Sequence, residues 1–363
     1  YINCYFYRLV LKWMVFSDKI LDWYWKNKRD LPWRGSDDPY KIWLSEIILQ
    51  QTRVAQGTPY YLRFINAFPN VIDLANAKEE TILKLWQGLG YYSRARNLHA
   101  AAKMVVDIYG GRFPDTYKKL MTLKGVGDYT ASAISSICFN ERQAVVDGNV
   151  YRVLSRYFGI ATPINSTAGI KYFKKLAQEV LHARNVRDYN QGIMEFGAMQ
   201  CTPKNPDCTN CPLKDSCVAL KEKKTDVWPI KLKKTKVKIR FFNYLVPLFI
   251  DEKGEKATLL KQRIGKGIWQ NLWEFPLMET AKEIDLNIVE NSCTEVLQLK
   301  GQPLHISLFN VDPVVHKLSH QHLVTKFWIL EIDAPMGNAI LVKELKKYPV
   351  PVLISSFINA FKF

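Results

Sequence analysis

The stretch LMTLKGVGDYTASAI, residues 120–134, together with VVDGNV at 145–150, decides how this chain is read. Leu120 and Leu123 close a short apolar helical run, Lys-Gly-Val-Gly turns the backbone, and a second helix opens at Asp128. Gly125 and Gly127 carry no Cβ, so both can take positive φ and let the turn approach another chain closely. The amides after Gly127 lie at a helix N-terminus without intrahelical acceptors, an arrangement that suits a phosphate. Farther along, Asp147 sits in a glycine-containing turn after Val145 and Val146.

Composition narrows the partner. With 51 Lys and Arg against 34 Asp and Glu, the net charge of +17 favours a polyanion. A length of 363 residues at 48% hydrophobic content supports two globular domains and excludes a disordered chain. No apolar run approaches the roughly 18 residues that a membrane helix needs, so no membrane association is expected. Residues 1–13 are apolar but broken by Arg8 and Lys12, and they lack the cleavage site of a signal peptide. Ser17 reads as the N-cap of the first helix, which makes residues 1–16 a flexible or non-native extension with Met14 as the natural start.

Cysteine spacing carries the second strong signal. Cys201, Cys208, Cys211 and Cys217 form the pattern Cys-x6-Cys-x2-Cys-x5-Cys, while Cys4, Cys138 and Cys293 are scattered thiols. Four clustered thiols in a chain with no secretory signal favour a metal site over disulfides. Structural zinc usually takes two Cys-x2-Cys knuckles, and only one close pair is present. A [4Fe–4S] cluster accepts uneven spacing; zinc is the remaining alternative.

Periodicity divides the chain. Apolar residues recur at helical spacing in 59–68, 80–86, 95–108, 131–137, 151–158 and 170–181, with breakers at Gly88, Gly90, Gly110, Gly111, Pro114 and Pro163. Residues 17–221 therefore predict an all-α domain, with the cysteine loop at 201–217. A basic linker follows at 222–240, with Lys231, Lys233, Lys234, Lys236, Lys238 and Arg240. Residues 241–363 predict an α+β domain, with strands at 243–250, 257–262, 305–316 and 323–332 and helices at 281–285, 292–299 and 341–347.

Glu46 lies on a predicted helix among Trp43, Leu44, Ile47 and Ile48, where lost hydration raises its pKa. Asp147 is the second carboxyl, in a polar turn. Two carboxyls whose environments separate their pKa values can divide the roles of acid and anion between them.

These motifs resemble a known family. The Gly-Val-Gly turn followed by Asp147 resembles the helix-hairpin-helix DNA glycosylases, and the cysteine spacing resembles the cluster loop of their endonuclease III-like members. SEIILQQTRV at 45–54 and GIWQNLWEFP at 267–276 are similar to signatures of the MutY-type adenine DNA glycosylases, whose C-terminal domain is Nudix-like. The resemblance implies a multidomain protein: an all-α helix-hairpin-helix glycosylase domain with a [4Fe–4S] loop, then an α+β Nudix-like domain. No Glu-rich Mg²⁺-binding run is present in that second domain, which implies recognition instead of pyrophosphate hydrolysis.

The resemblance also implies roles. Glu46 is the general acid that protonates adenine at N7, Asp147 steadies the electron-poor sugar, and Asn149 orients Asp147 or the attacking water. Tyr129 stands where bifunctional relatives carry a Schiff-base lysine, which implies hydrolysis by water, and it holds the proton of Glu46 in place. Gln51 and Tyr91 match the residues that fill the duplex when a nucleotide is flipped, and Thr52 belongs to the same DNA-contacting motif. Trp33 and Arg34 line the adenine pocket, Gly125 and Gly127 grip the backbone, and the cluster orders a loop that carries Lys204 toward DNA. Leu318, Ser319 and His320 resemble the Phe-Ser-His loop that reads 8-oxoguanine, with Leu318 in place of Phe. The implied partner is double-stranded DNA with 8-oxoguanine:adenine or guanine:adenine mispairs, met by a monomer in the bacterial cytoplasm at the nucleoid. The rival readings are a bifunctional endonuclease III-like glycosylase/lyase and a non-catalytic iron–sulfur DNA-binding protein.

Overall fold

A computed structural model describes residues 2–232, 237–299, 301 and 303–363, with side chains from residue 13 onward. Cys4 and the linker residues Lys233, Lys234 and Lys236 lie outside the residues and side chains described. The chain divides into two compact units, residues 1–76 with 97–233, and residues 77–96 with 234–363.

The first unit is helical. Its central helix, Val186–Met199, packs on the helices Ile2–Asn27, Gly148–Phe158 and Asp128–Phe139. Phe16, Phe196 and Tyr189 are fully buried in this unit, each contributing on the order of 1.5–3 kcal/mol through lost apolar surface. Gly197 lets two helices close up: a Cβ there would lie 2.6 Å from the Asn149 Cβ. Pro39–Leu49 packs on Asp128–Phe139 and on Val54–Ala67. Asp38 caps Pro39–Leu49 by accepting from the Tyr40 amide, and the proline in its first turn has no N–H to lose.

The first helix corrects one expectation. It runs unbroken from Ile2 to Asn27, so Ser17 is not an N-cap; its Oγ bonds back to the Met14 carbonyl at 3.0 Å. A serine before an amphipathic run has the same local appearance in both settings.

The second unit is built on the strand Lys238–Ile250. This strand runs parallel to Gln321–Glu331, from Lys238↔Gln321 to Leu248↔Glu331. It also pairs antiparallel with Leu277–Thr280 and with Lys256–Thr258. Gln321–Glu331 in turn pairs antiparallel with His305–Leu308 and Val314–Lys317. Side chains alternate across the sheet. Leu245, Trp328 and Leu330 pack with Val289, Cys293 and Leu297 of the helix Leu286–Leu297. On the opposite face Phe327 stacks on Phe357 of the helix Val352–Ala360 at 4.1 Å.

Several boundaries differ from expectation here. Residues 281–285 are not helical; Asp285 caps the next helix by accepting from the Ile288 amide at 3.2 Å. The run 305–316 is two strands, and 257–262 falls across Lys256–Thr258 and Lys261–Gln262. Residues 342–347 form a 3-10 turn.

Residues 77–96 are tied into this unit by side chains. Asn271 Nδ2 donates to Glu79 at 2.6 Å, Trp273 Nε1 to Glu80 at 3.0 Å, and Lys84 Nζ to the Tyr348 carbonyl at 2.9 Å.

Candidate active site and cluster loop

Two helix starts and one helix side build the carboxyl cleft. Glu46 projects from Pro39–Leu49, Tyr129 from the first turn of Asp128–Phe139, and Asp147 caps Gly148–Phe158. Each keeps a partly exposed edge. The Tyr129 hydroxyl donates to Glu46 Oε2 at 2.6 Å and also meets Met194 Sδ at 3.2 Å. Burial pushes Glu46 up to about 7; the Tyr129 bond opposes that rise and the charge of Asp147 adds to it. The Tyr129 phenol is itself pushed well above its ordinary value by burial and by the two carboxyls, so it stays a donor.

Asp147 differs from Glu46 in its donors. Its carboxylate accepts from the Asn149 amide at 2.9 Å, the Val150 amide at 2.8 Å and Asn149 Nδ2 at 2.7 Å. Burial still leaves its pKa above the ordinary value, with these donors and the Arg152 charge pulling it down. Both carboxyls are thus raised, so any separation between them does not come from shifts of opposite sign. What separates them is the number of donors that favour the anion.

A chain of bonds runs back from Asp147. Asn149 Oδ1 accepts from Arg152 Nη2 at 2.8 Å, and Arg152 Nε donates to the Cys201 carbonyl at 2.7 Å and Nη2 to the Gly197 carbonyl at 2.6 Å. Sequence reasoning missed Arg152, and it missed Glu195. Glu195 accepts from Arg29 and from Arg34, with Arg34 Nη2 at 2.6 Å from Oε2. Burial would raise Glu195, but the Arg29 and Arg34 bonds bring it down to about 2. Arg34 is therefore held by an anion more than 150 residues away in sequence, at 161 positions' separation. Trp33 is buried edge-on against Tyr61 at 5.1 Å.

At the hairpin, Gly125 has φ +74, and a Cβ there would lie 2.6 Å from the Asn97 Cβ. Gly127 does not take positive φ: it is extended, at φ −99 and ψ −178, and serves as the helix N-cap. One left-handed residue suffices to turn this loop. Gln51 and Tyr91 are both non-glycine residues with positive φ, at 54° and 48°, a strain that persists only where surrounding structure holds it. Both are exposed, and Thr52 Oγ1 bonds the Gln50 carbonyl at 3.3 Å.

Leu318, Ser319 and His320 occupy the turn between Val314–Lys317 and Gln321–Glu331, closed by the Leu318 amide on the Gln321 carbonyl at 2.8 Å. Ser319 and His320 are exposed and Leu318 is half-buried. Within the same compact unit, Ser319 Oγ lies 2.5 Å from the Tyr91 hydroxyl.

Cys201, Cys208, Cys211 and Cys217 are free, half-buried thiols that line one cavity with Arg156 and Gln200. Among the described residues no three His, Cys, Asp or Glu side chains converge on a single-ion site. Four thiols lining one cavity suit an iron–sulfur cluster. Buried thiols at this density are also costly to ionise, and burial pushes Cys211 up to about 12; bonding to iron removes that cost.

Comparison with known proteins follows the same division. Residues 44–179 match the HhH-GPD superfamily of base excision DNA repair proteins, 246–360 the NUDIX domain, and 201–217 the iron–sulfur binding domain of endonuclease III. The four cysteines accordingly hold an iron–sulfur cluster. An adenine DNA glycosylase of Buchnera aphidicola subsp. Acyrthosiphon pisum is 36% identical, over 84% of this chain and 87% of its own. That of Mus musculus is 33% identical, over 90% of this chain and 72% of its own. A thermostable thymine-DNA glycosylase of known structure superposes with a TM-score of 0.54 at 33% identity, covering 58% of this chain and 97% of its own. No helix among the described residues is long and apolar enough to cross a membrane. Likeness to the first two reaches through both compact units and not through single motifs, and this chain belongs to the adenine DNA glycosylases, DNA N-glycosylases that join a helix-hairpin-helix domain and an iron–sulfur loop to a Nudix-like domain.

Proposed function

We propose that this protein, as a monomer in the cytoplasm, turns adenine out of a duplex in which it faces 8-oxoguanine or guanine, and hydrolyses its glycosidic bond. The observation that carries the chemistry is the 2.6 Å bond from Tyr129 to Glu46 beside the charge of Asp147. With its pKa raised to about 7, Glu46 keeps a substantial share of its acid form at neutral pH, and that form can pass its proton to N7 as the bond to C1′ breaks. The departing adenine leaves neutral, and positive charge develops on the sugar. Asp147, whose three donors favour the anion, lies against that charge. Water then adds at C1′ and its released proton restores the charge of the site. Tyr129 is a phenol and has no amine with which to form a Schiff base, which supports hydrolysis without a lyase step.

Gln51 and Tyr91, held in strained backbone and exposed, suit the gap left by the turned-out base. Guanine offers an acceptor at N7, whereas 8-oxoguanine offers an N–H donor there. The Ser319 hydroxyl at its turn tip can accept from that donor, and His320 stands beside it. The bound [4Fe–4S] cluster supplies iron–thiolate bonds that order residues 201–217, a loop on which Lys204 is exposed to meet phosphate. The test is excision on duplexes that differ only in the base facing adenine. Adenine release fastest opposite 8-oxoguanine, slower opposite guanine and slowest opposite thymine is expected; equal rates would refute the mispair reading.

A further inference from the structure

The side chain of Arg156 has no part in the carboxyl cleft, yet it is among the most buried charges in the protein, at 2% exposure. It lies one helical turn beyond Arg152 on Gly148–Phe158. Its Nη1 donates to Cys201 Sγ at 3.4 Å and to the Thr202 carbonyl at 2.7 Å, and Nη2 donates to the Pro203 carbonyl at 3.1 Å. Nε donates to the Trp228 carbonyl at 3.1 Å, and the Arg156 carbonyl faces Cys217 Sγ at 3.6 Å. The Arg156 guanidinium thus touches the first ligand of the cluster loop, Cys201.

Among the described residues no carboxylate lies within ion-pair distance of it. A buried guanidinium without an anion is costly, and here its carbonyl partners carry only partial charge. The remaining source of negative charge is the sulfur cage, since four thiolates around an iron–sulfur core leave a net negative charge. Hydrogen bonds to cluster sulfur and nearby charge are what set the potential of such a group. A donor that is cationic strengthens as the sulfur gains electron density on reduction.

We propose that Arg156 is the electrostatic partner of the iron–sulfur cluster: its Nη1–H···Sγ bond to Cys201 raises the reduction potential of the cluster and slows the loss of its iron. The role is separate from excision and does not depend on which base is removed. Arg152, which reaches the Cys201 carbonyl and not its sulfur, has the other job of joining that loop to Asn149.

The experiment uses the loaded protein. Arg156→Met and wild type are titrated through reduction and followed by the spectroscopic signal of the reduced cluster; iron loss to a chelator is timed in parallel. The expected midpoint of Arg156→Met is more negative, by about a tenfold change in the reduced-to-oxidised ratio or ~59 mV for one electron, with severalfold faster iron loss. A wild-type midpoint in a fully loaded methionine variant overturns the proposal. Should Arg156→Met come out free of iron, Arg156→Lys decides. It keeps the charge and loses the planar fork, so it must load iron and show a smaller shift of the same sign. A lysine variant with the wild-type midpoint, or one that also loads no iron, overturns the proposal and leaves Arg156 as a tie between carbonyls.

Discussion

The carboxyl cleft and the turn at 318–320 hold their side chains in opposite ways. In the cleft Glu46 is held by the Tyr129 hydroxyl, and Asp147 is fixed from behind. Asp147 accepts three hydrogen bonds, Asn149 bridges it to Arg152, and Arg152 ends on backbone carbonyls of two other segments. At the turn one backbone bond closes the loop and one side-chain contact, Ser319 to Tyr91, holds its tip. The difference fits the tasks proposed for them. Proton transfer and charge stabilisation need groups set in place before the substrate arrives, because reorganisation adds to the barrier. Reading a base edge needs hydroxyls and rings that can exchange their present partners for the base at little cost.

The comparison breaks most visibly at Glu46. Glu46→Gln keeps the shape and removes the acid, so single-turnover adenine release should fall by about 10³-fold while duplex binding persists. Near-normal release would remove Glu46 from the chemistry. Asp147 comes next, and two variants separate its duties. Asp147→Asn should lose about 10²-fold in release with little change in melting temperature, since asparagine also caps helices. Asp147→Ala should lose a similar rate and, in addition, about 1 kcal/mol of stability as its cap goes. Equal melting temperatures for the two would show that the cap does not support this helix.

Legibility in the sequence tracks the same contrast. The raised pKa of Glu46 was legible because the apolar neighbours that shield it are contiguous in the chain, and the Gly-Val-Gly turn announced its hairpin. Arg152, Arg156 and Glu195 could not, because an ionic residue on a helix has the same local appearance whether it faces water or a partner; Glu195 meets Arg29 from 166 positions away. The all-α unit was readable from period and breakers. In the Nudix-like unit, 305–316 looked continuous because Val311, Val314 and Val315 outweigh Asn310, Asp312 and Pro313, the residues that in fact end one strand before the next begins. The helix Val352–Ala360 went unread for a related reason: a proline-flanked run of Val, Leu, Ile and Phe resembles a strand until Phe357 is seen stacked on the sheet.

At the turn the expected effects are smaller. Replacing both Ser319 and His320 by alanine should lower the preference for 8-oxoguanine over guanine by about tenfold, the worth of roughly one hydrogen bond to a base edge, with excision from the better substrate largely kept. Unchanged discrimination on the paired duplexes would move base reading elsewhere.

The finest test makes one change in both regions, because each has a tyrosine hydroxyl on its key side chain. In Tyr129→Phe the lost bond is one that lowers the pKa of Glu46. In the proposed reaction the acid form is the active one, so wild-type release should fall as pH rises through about 7, and the variant should carry that falling limb to higher pH. Folding shares the sign. A carboxyl raised in the folded state adds stability that is complete below its unfolded value, near 4.5, and is lost as pH rises through about 7; Glu46→Gln should flatten that slope. In Tyr91→Phe the lost partner is Ser319, an exposed contact worth about 0.5–1 kcal/mol, so discrimination should shift by only two- to fivefold and the pH limb should stay where it is. A pH shift in Tyr91→Phe, or none in Tyr129→Phe, would mean that the tyrosine hydroxyls do not divide between chemistry and reading as their partners indicate.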